Sequence, residues 1–207
     1  MQAPLGVILA GGLATRMGGG DKSLLMLSGQ TLMARVIARM QPQVAGLAIN
    51  ANGDVARFGG FGLPVVADSI DGFAGPLAGV LAGLDWAATL GADHIVTAAA
   101  DTPFFPADLV PRLLLAAENA DVTMALAASP HPTRGMLRQP TFGLWPVALR
   151  EDLRVALQSR VRKVVQWTDK HSAALAPFQA DGFDPFFNVN TPEDMKMAEA
   201  LIAGESE

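Results

Sequence analysis

Five glycines follow an apolar run in VILAGGLATRMGGGDKSLL, residues 7–25, and with them come Arg16, Asp21 and Lys22. Glycines let backbone N–H groups approach an anion closely, and successive amides form an anion-binding concavity. Arg16 offers a planar fork for phosphate oxygens, and Lys22 a compact point charge. A bare turn with two solvated cations is the bland alternative. Two cations among that many glycines directly after an apolar run outweigh it. Two familiar phosphate motifs fail here. In GGGDKS the aspartate stands where the P-loop pattern needs glycine before Lys-Ser. A dinucleotide fingerprint needs an acidic residue at the end of the second strand, where this chain has neutral Asn50 and Asn52. That mismatch also disfavours an NAD-dependent oxidoreductase.

Asp101 follows the run HIVTAAA and precedes Thr-Pro. Alone, such a carboxylate is often a turn or cap residue. Beside a phosphate loop it becomes a candidate Mg²⁺ ligand, because Mg²⁺ favours one or two carboxylates plus substrate oxygens. Asn188 and Asn190 flank Val189 in FFNVN, so an extended backbone turns both amides to one face. Asn50, Asn52 and Asp68 add neutral amides and an acceptor, and as residues after strands they also suit ordinary turns.

The elements that must position these residues alternate between short apolar runs and helical patterns. GVILAG, GLAINAN (46–52), LPVVAD (63–68) and HIVTAAAD (94–101) read as strands, and ADVTMALA, TFGLWP and AALAPF as later ones. QTLMARVIARMQPQ places Leu32, Val36, Ile37 and Met40 on one helical stripe that stops near Pro42. GPLAGVLAGLDWAATLG (75–91) has Pro76 in the first turn and small residues throughout, the mark of a helix packed closely on a sheet. Another helix is expected to start near Pro106. The last helix, TPEDMKMAEALIAG, has Thr191 as N-cap and Pro192 at its first position, with Asp194 read as one step past the capping-box position. The alternation implies one domain over residues 1–207, a three-layer α/β/α arrangement around a mainly parallel sheet. Ligands bind such sheets beyond the strands' carboxyl ends, where Gly11 to Lys22, Asn50, Asn52, Asp68 and Asp101 all fall.

The net charge of −5 and the lack of a Lys/Arg cluster argue against nucleic acid as a partner. No apolar run reaches the roughly 18–20 residues of a membrane span, no basic leader is present, and a cytoplasmic location is expected. With no cysteine, thiolate metal sites and cysteine nucleophiles are excluded. His94, His131 and His171 are scattered and form no metal set. The cations of RVRKVVQW (160–167) fit either a solvated helix face or a surface for an anionic substrate or partner enzyme.

LAGGLATRMGGGDKSLL resembles the signature L-A-G-G-x-x-x-R-M-G-x-x-D-K of the sugar-nucleotide-pyrophosphorylase-like nucleotidyltransferases, and within them the molybdenum cofactor guanylyltransferase (MobA) family. The resemblance continues through NAN (50–52), ADSIDGFAGPLAG (67–79), AADTPF (99–104), QPTFGLW (139–145) and NVNTPEDM (188–195). It implies a Rossmann-like nucleotidyltransferase fold and transfer of GMP from GTP to the terminal phosphate of a molybdopterin-type cofactor, with Mg²⁺. GTP would be held by Leu9, Ala10, Gly11, Gly12, Lys22, Asn50, Asp68 and Asp101. A carboxylate suits guanine, whose pairing edge presents N1–H and N2–H₂ donors. By the same resemblance Arg16, Lys22 and Asp101 would carry the catalytic role, Asp101 and Asn190 the metal, and Arg134, Arg138 and Gln139 the pterin side. Cofactor-synthesis or client enzymes are implied partners. The chain departs from the common NANR form, since Gly53 replaces the arginine. Cytidylyl or other nucleotidyl transfer to the same pterin or to a sugar or polyol phosphate stays open at this point. So does a non-catalytic nucleotide-binding carrier.

Overall fold

The computed structural model describes residues 2–11, 21–70, 72, 75–131 and 133–204, so Gly12 and Arg16 lie outside the described residues. The apolar run LGVIL forms strand β1 (Leu5–Leu9), with Val7 and Ile8 fully buried on opposite faces. A small hairpin, β2 (Met26–Leu27) and β3 (Gln30–Thr31), leads into α1 (Leu32–Met40). The Thr31 hydroxyl caps α1 by accepting the Ala34 amide, and Leu32, Met33, Val36 and Met40 make its buried stripe. A 3₁₀ turn containing Pro42 ends it, as the sequence predicts.

Strands β4 (Leu47–Asn50) and β5 (Val65–Val66) follow, then α2 (Pro76–Thr89), β6 (His94–Ala99) and α3 (Leu109–Asn119). Helix α3 begins later than Pro106, after a turn in which the Leu109 amide donates to the Pro106 carbonyl. The next strand is also displaced. Asp121 takes a left-handed φ of 53° beyond the helix end, so β7 spans Ala125–His131 rather than beginning near Ala120. Its partner β8 (Gly135–Pro146) is longer than TFGLWP suggests, because it pairs with β7 along a hairpin arm.

Two helices, α4 (Arg150–Gln158) and α5 (Val164–Lys170), precede β9 (Ala174–Pro177) and α6 (Pro192–Gly204). Asp152 ties α4 to α5 by accepting from Trp167 Nε1 at 2.8 Å, Lys170 Nζ at 2.9 Å and His171 Nε2 at 2.8 Å. At α6, Asp194 stands at N3 and closes the capping box, correcting the one-residue offset expected. The Asp194 amide donates to Thr191 Oγ1 at 3.1 Å while Asp194 Oδ2 accepts the Thr191 amide at 2.9 Å.

Among the described residues, seven strands form one sheet in the order β5-β4-β1-β6-β8-β7-β9. β5, β4, β1 and β6 are mutually parallel, β8 is antiparallel to both its neighbours, and β9 returns parallel to β7. Side chains of α1 and α3 pack on one face with Ile8, Ile49 and Val96. Those of α2, α4 and α5 pack on the other with Val7, Ile95 and Trp145. The layers are the α/β/α arrangement expected. Glycine sets how near α2 can come: a Cβ on Gly83 would lie 2.8 Å from Val7 Cγ2, and one on Gly79 only 2.2 Å from Asn50 Oδ1.

Candidate active site

Four parallel strands end at the same edge of the sheet, so the residues that follow them meet. Their extensions stay hydrogen-bonded: the Ala10 amide donates to Asn50 O, Ala51 to Val66 O and Ala100 to Leu9 O. A cleft of about 830 Å³ lies at this edge, lined by Gly11, Lys22, Asn50, Asp68, Asp101 and Asn188 among others. Leu9, Ala10, Asn52, Ile70 and the start of α2 at Gly75 and Pro76 complete much of the wall. The first turn of a 14-residue helix therefore borders the cleft, bringing the positive end of its dipole there. Gly11 and Lys22 both line it from either side of the glycine segment.

At one end of the cleft the chain buries a cation. Lys22 is 7% exposed, and its Nζ lies 2.6 Å from Asp101 Oδ2 and also donates to Asn190 Oδ1. The turn that carries it is held by Asp21, whose Oδ1 accepts the Ser23 amide at 3.0 Å and the Ser23 hydroxyl at 2.6 Å. Asp21 Oδ2 meets Arg57 Nε at 2.7 Å. Beside Asp101, the buried Thr102 hydroxyl donates to Asn188 Oδ1. The Val189 amide donates to the Asp101 carbonyl at 2.9 Å, which fastens the Asn188–Asn190 segment to β6 while Val189 itself is buried away from the cleft. The two asparagines share a face, as the alternation predicts.

At the other end, a carboxylate is oriented by two amides. Asp68 Oδ1 accepts from Asn50 Nδ2 at 2.9 Å, and Asp68 Oδ2 from Asn52 Nδ2 at 2.8 Å. The Asp68 amide returns a bond to Asn52 Oδ1 at 2.9 Å. Each carboxylate oxygen keeps capacity for a further donor. The buried Asn50 reaches this position because Gly79 leaves room for it beneath α2.

The residues expected on the acceptor side behave differently. Arg134, Arg138 and Gln139 lie on or beside the β7–β8 arm, which runs past the end of β6 at the cleft edge. Arg138 pairs with Asp169 of α5, and Gln139 Nε2 donates to Ser129 Oγ at 2.9 Å, so neither lines the cleft. Thr141, farther along β8, does. Its carbonyl accepts from Thr97 Oγ1 at 2.8 Å, and that hydroxyl accepts from Trp145 Nε1 at 2.8 Å. The sequence reading missed Ser23, Thr102, Arg57, Gly79 and Thr141. Of these, the recurring small residues around Gly79 were the available signal.

The donors around Lys22 are all oxygens: the Asp101 carboxylate and the Asn188 and Asn190 amides. Among the described residues no group of three or more His, Cys, Asp or Glu could hold a metal unaided. That combination fits Mg²⁺, which takes few protein carboxylates and draws other ligands from substrate phosphates.

The family profile described as the MobA-like NTP transferase domain matches residues 6–174. The chain belongs to the MobA-like NTP transferase family. Within it, the molybdenum cofactor guanylyltransferase of Bradyrhizobium sp. is 52% identical over 203 residues, covering 97% of this chain and 93% of that one. The protein of the same description from Mesorhizobium japonicum is 46% identical, with 95% of each chain covered. Two solved structures share the fold. Molybdopterin-guanine dinucleotide biosynthesis protein A from Archaeoglobus fulgidus superposes with a TM-score of 0.71 at 22% identity, over 97% of this chain and 99% of that one. A 2-C-methyl-D-erythritol 4-phosphate cytidylyltransferase from Thermus thermophilus gives 0.71 at 21%, over 95% and 98%. The Rossmann-like nucleotidyltransferase fold of this MobA-like chain is thereby established.

Proposed function

We propose that this chain transfers GMP from GTP to the terminal phosphate of a molybdopterin-type cofactor, releasing pyrophosphate. One observation carries the reading: a single cleft holds a buried lysine–aspartate pair at one end and an amide-oriented carboxylate at the other. The high identity to guanylyltransferases over nearly the whole chain supports it.

Asp68 accepts from the N1–H and N2–H₂ donors of guanine, a pattern that adenine and cytosine do not present. Lys22, Arg16 and the amides near Gly11 and Gly12 hold the triphosphate. An oxygen of the acceptor phosphate attacks the α-phosphorus, a new P–O bond forms, and the α–β bridging bond breaks with pyrophosphate as leaving group. A phosphate monoester has a second pKa near 6 and is largely dianionic at neutral pH, so the attack requires no protein base. The protein's task is to align two polyanions and neutralise charge as it shifts to the leaving group. Asp101, with Asn190 beside it, would hold Mg²⁺, and an ion held there would supply charge neutralisation on phosphate oxygens. Arg134, Arg138 and Gln139 are the acceptor-side candidates carried from the sequence, and engaging Arg138 requires breaking its bond to Asp169.

Pyrophosphate release with GTP, ATP and CTP, with the pterin acceptor supplied, tests this reading. GTP alone is expected to support turnover, and only when acceptor and Mg²⁺ are both present. Equal turnover of CTP removes guanine selectivity, and tight GTP binding without turnover indicates a carrier.

A further inference from the structure

We infer that Arg57 is a positioning residue that locks the turn bearing Lys22 to the segment bearing the Asp68 carboxylate, and so sets the span between the two ends of the cleft. The inference rests on the proposed function for what those two ends recognise.

Three separate nitrogens of the guanidinium are committed in three directions. Nε meets Asp21 Oδ2 at 2.7 Å, Nη2 donates to the Asn52 carbonyl at 2.8 Å, and Nη1 donates to the Asp54 carbonyl. The group lies over the buried Phe58 ring, 4.5 Å from its centroid, which fixes the plane of the fork. Its partner Asp21 has only 12% of its side chain exposed, and the other oxygen of that carboxylate holds Ser23. From Asn52 the connection continues through two hydrogen bonds to Asp68. The path Lys22 turn, Asp21, Arg57, Asn52, Asp68 is thus continuous through hydrogen bonds and ion pairs.

Gly53 completes the case. It has a φ of +80°, and a Cβ there would lie 3.8 Å from Arg57 Nη1. The backbone at position 53 thus lies beside the guanidinium arriving from position 57, which is turned toward the protein. Its three nitrogens bond to protein acceptors, so it acts through Asp21 and Asn52 and leaves phosphate binding to other groups. A lysine cannot reproduce this, since one nitrogen on a flexible stem does not satisfy three diverging acceptors.

The test is a double-variant cycle on the full chain with Arg57→Gln and Asp21→Asn, reading kcat for nucleotidyl transfer, the GTP dissociation constant and thermal stability. Arg57→Gln is expected to lower kcat by about ten- to a hundredfold, the effect of roughly 1 Å of misplacement, with a much smaller change in GTP affinity. The double variant should be no slower than the worse single one, and Arg57→Lys should not restore kcat. An unchanged kcat in folded Arg57→Gln, a loss confined to KM, or multiplying single effects would overturn the inference. If Arg57→Gln does not fold, Arg57→Lys, which keeps the charge, replaces it in the cycle. A wild-type preference for another nucleotide refutes guanine selectivity separately, and the cycle is then read with that nucleotide.

Discussion

Lys22 and Asp101 stand 79 residues apart in the chain, yet Asp101 makes the burial of the lysine's charge tolerable in the cleft wall. That dependence decides which substitution probes chemistry and which probes folding. Removing one partner of a buried pair costs about 3–5 kcal/mol, somewhat less here because 29% of the Asp101 side chain is exposed. Asp101→Ala is therefore expected to lose both turnover and thermal stability. Asp101→Asn keeps an acceptor for the lysine and should unfold near the wild-type temperature, while kcat falls by about 10²–10³, comparable to the loss of one oxyanion-hole donor. Melting curves beside steady-state rates check this, and full activity in Asp101→Asn with Mg²⁺ would remove the carboxylate from catalysis. Lys22, Asn50, Asp68, Asp101 and Asn190 could be found from the sequence because each follows a strand or lies in a recognisable run. Arg57 and Thr102 could not. Their importance comes from partners 36 and 86 residues away, which no local pattern encodes.

Helix α2 shows how an element without a catalytic side chain governs the site. Its small residues were legible as close packing, but the sequence did not reveal what the closeness serves. Gly79 leaves space for the Asn50 amide that orients Asp68. Gly79→Ala gains about 1 kcal/mol of helix propensity, but its Cβ would meet Asn50 Oδ1 at 2.2 Å and Leu9 Cδ2 at 2.8 Å. Overpacking of this kind costs about 1–3 kcal/mol, so the clash is expected to win. The variant should melt a few degrees lower and bind GTP more weakly, measured by thermal denaturation and equilibrium titration. Unaltered GTP affinity would mean that Asn50 is not needed to aim Asp68. Element boundaries were less legible where turns set them. The left-handed Asp121 delays β7, and β8 extends because its partner reaches beyond the sheet, a tertiary fact.

For the whole molecule, alternation of elements was enough to foretell the layers, but not the strand order. Placing antiparallel β8 between β6 and β7 depends on which edges pair, and the sequence pattern does not specify this. No helix among the described residues is long and apolar enough to cross a membrane. Among the described residues, His94 and Asp152 both contribute to the acid response of the fold. Burial of His94, whose Nε2 has no partner among the described residues, holds its pKa below the ordinary 6.5. Stability from keeping it neutral is present above pH 6.5 and declines as pH falls toward the lowered folded value. Asp152 is held at about 2 rather than 3.8, chiefly by its bond to Lys170, with Trp167 and His171 contributing. Its contribution is present above pH 3.8 and is lost as pH falls through about 2. Because 35% of that side chain is exposed, solvent screening limits it to about 1 kcal/mol. Urea unfolding across pH should show a first decline below 6.5 that His94→Leu removes, and a second that Asp152→Asn removes; identical profiles for all three proteins would refute both assignments.

The link from Trp145 through Thr97 to the Thr141 carbonyl has an optical consequence. The chain contains no tyrosine and three tryptophans, so its ultraviolet emission comes from indoles. One of these, stacked on Trp167, is two hydrogen bonds from the wall of the cleft. Filling of the cleft is therefore expected to change the emission, which a fluorescence titration with GTP checks; an unchanged spectrum at saturation would uncouple this indole from the cleft.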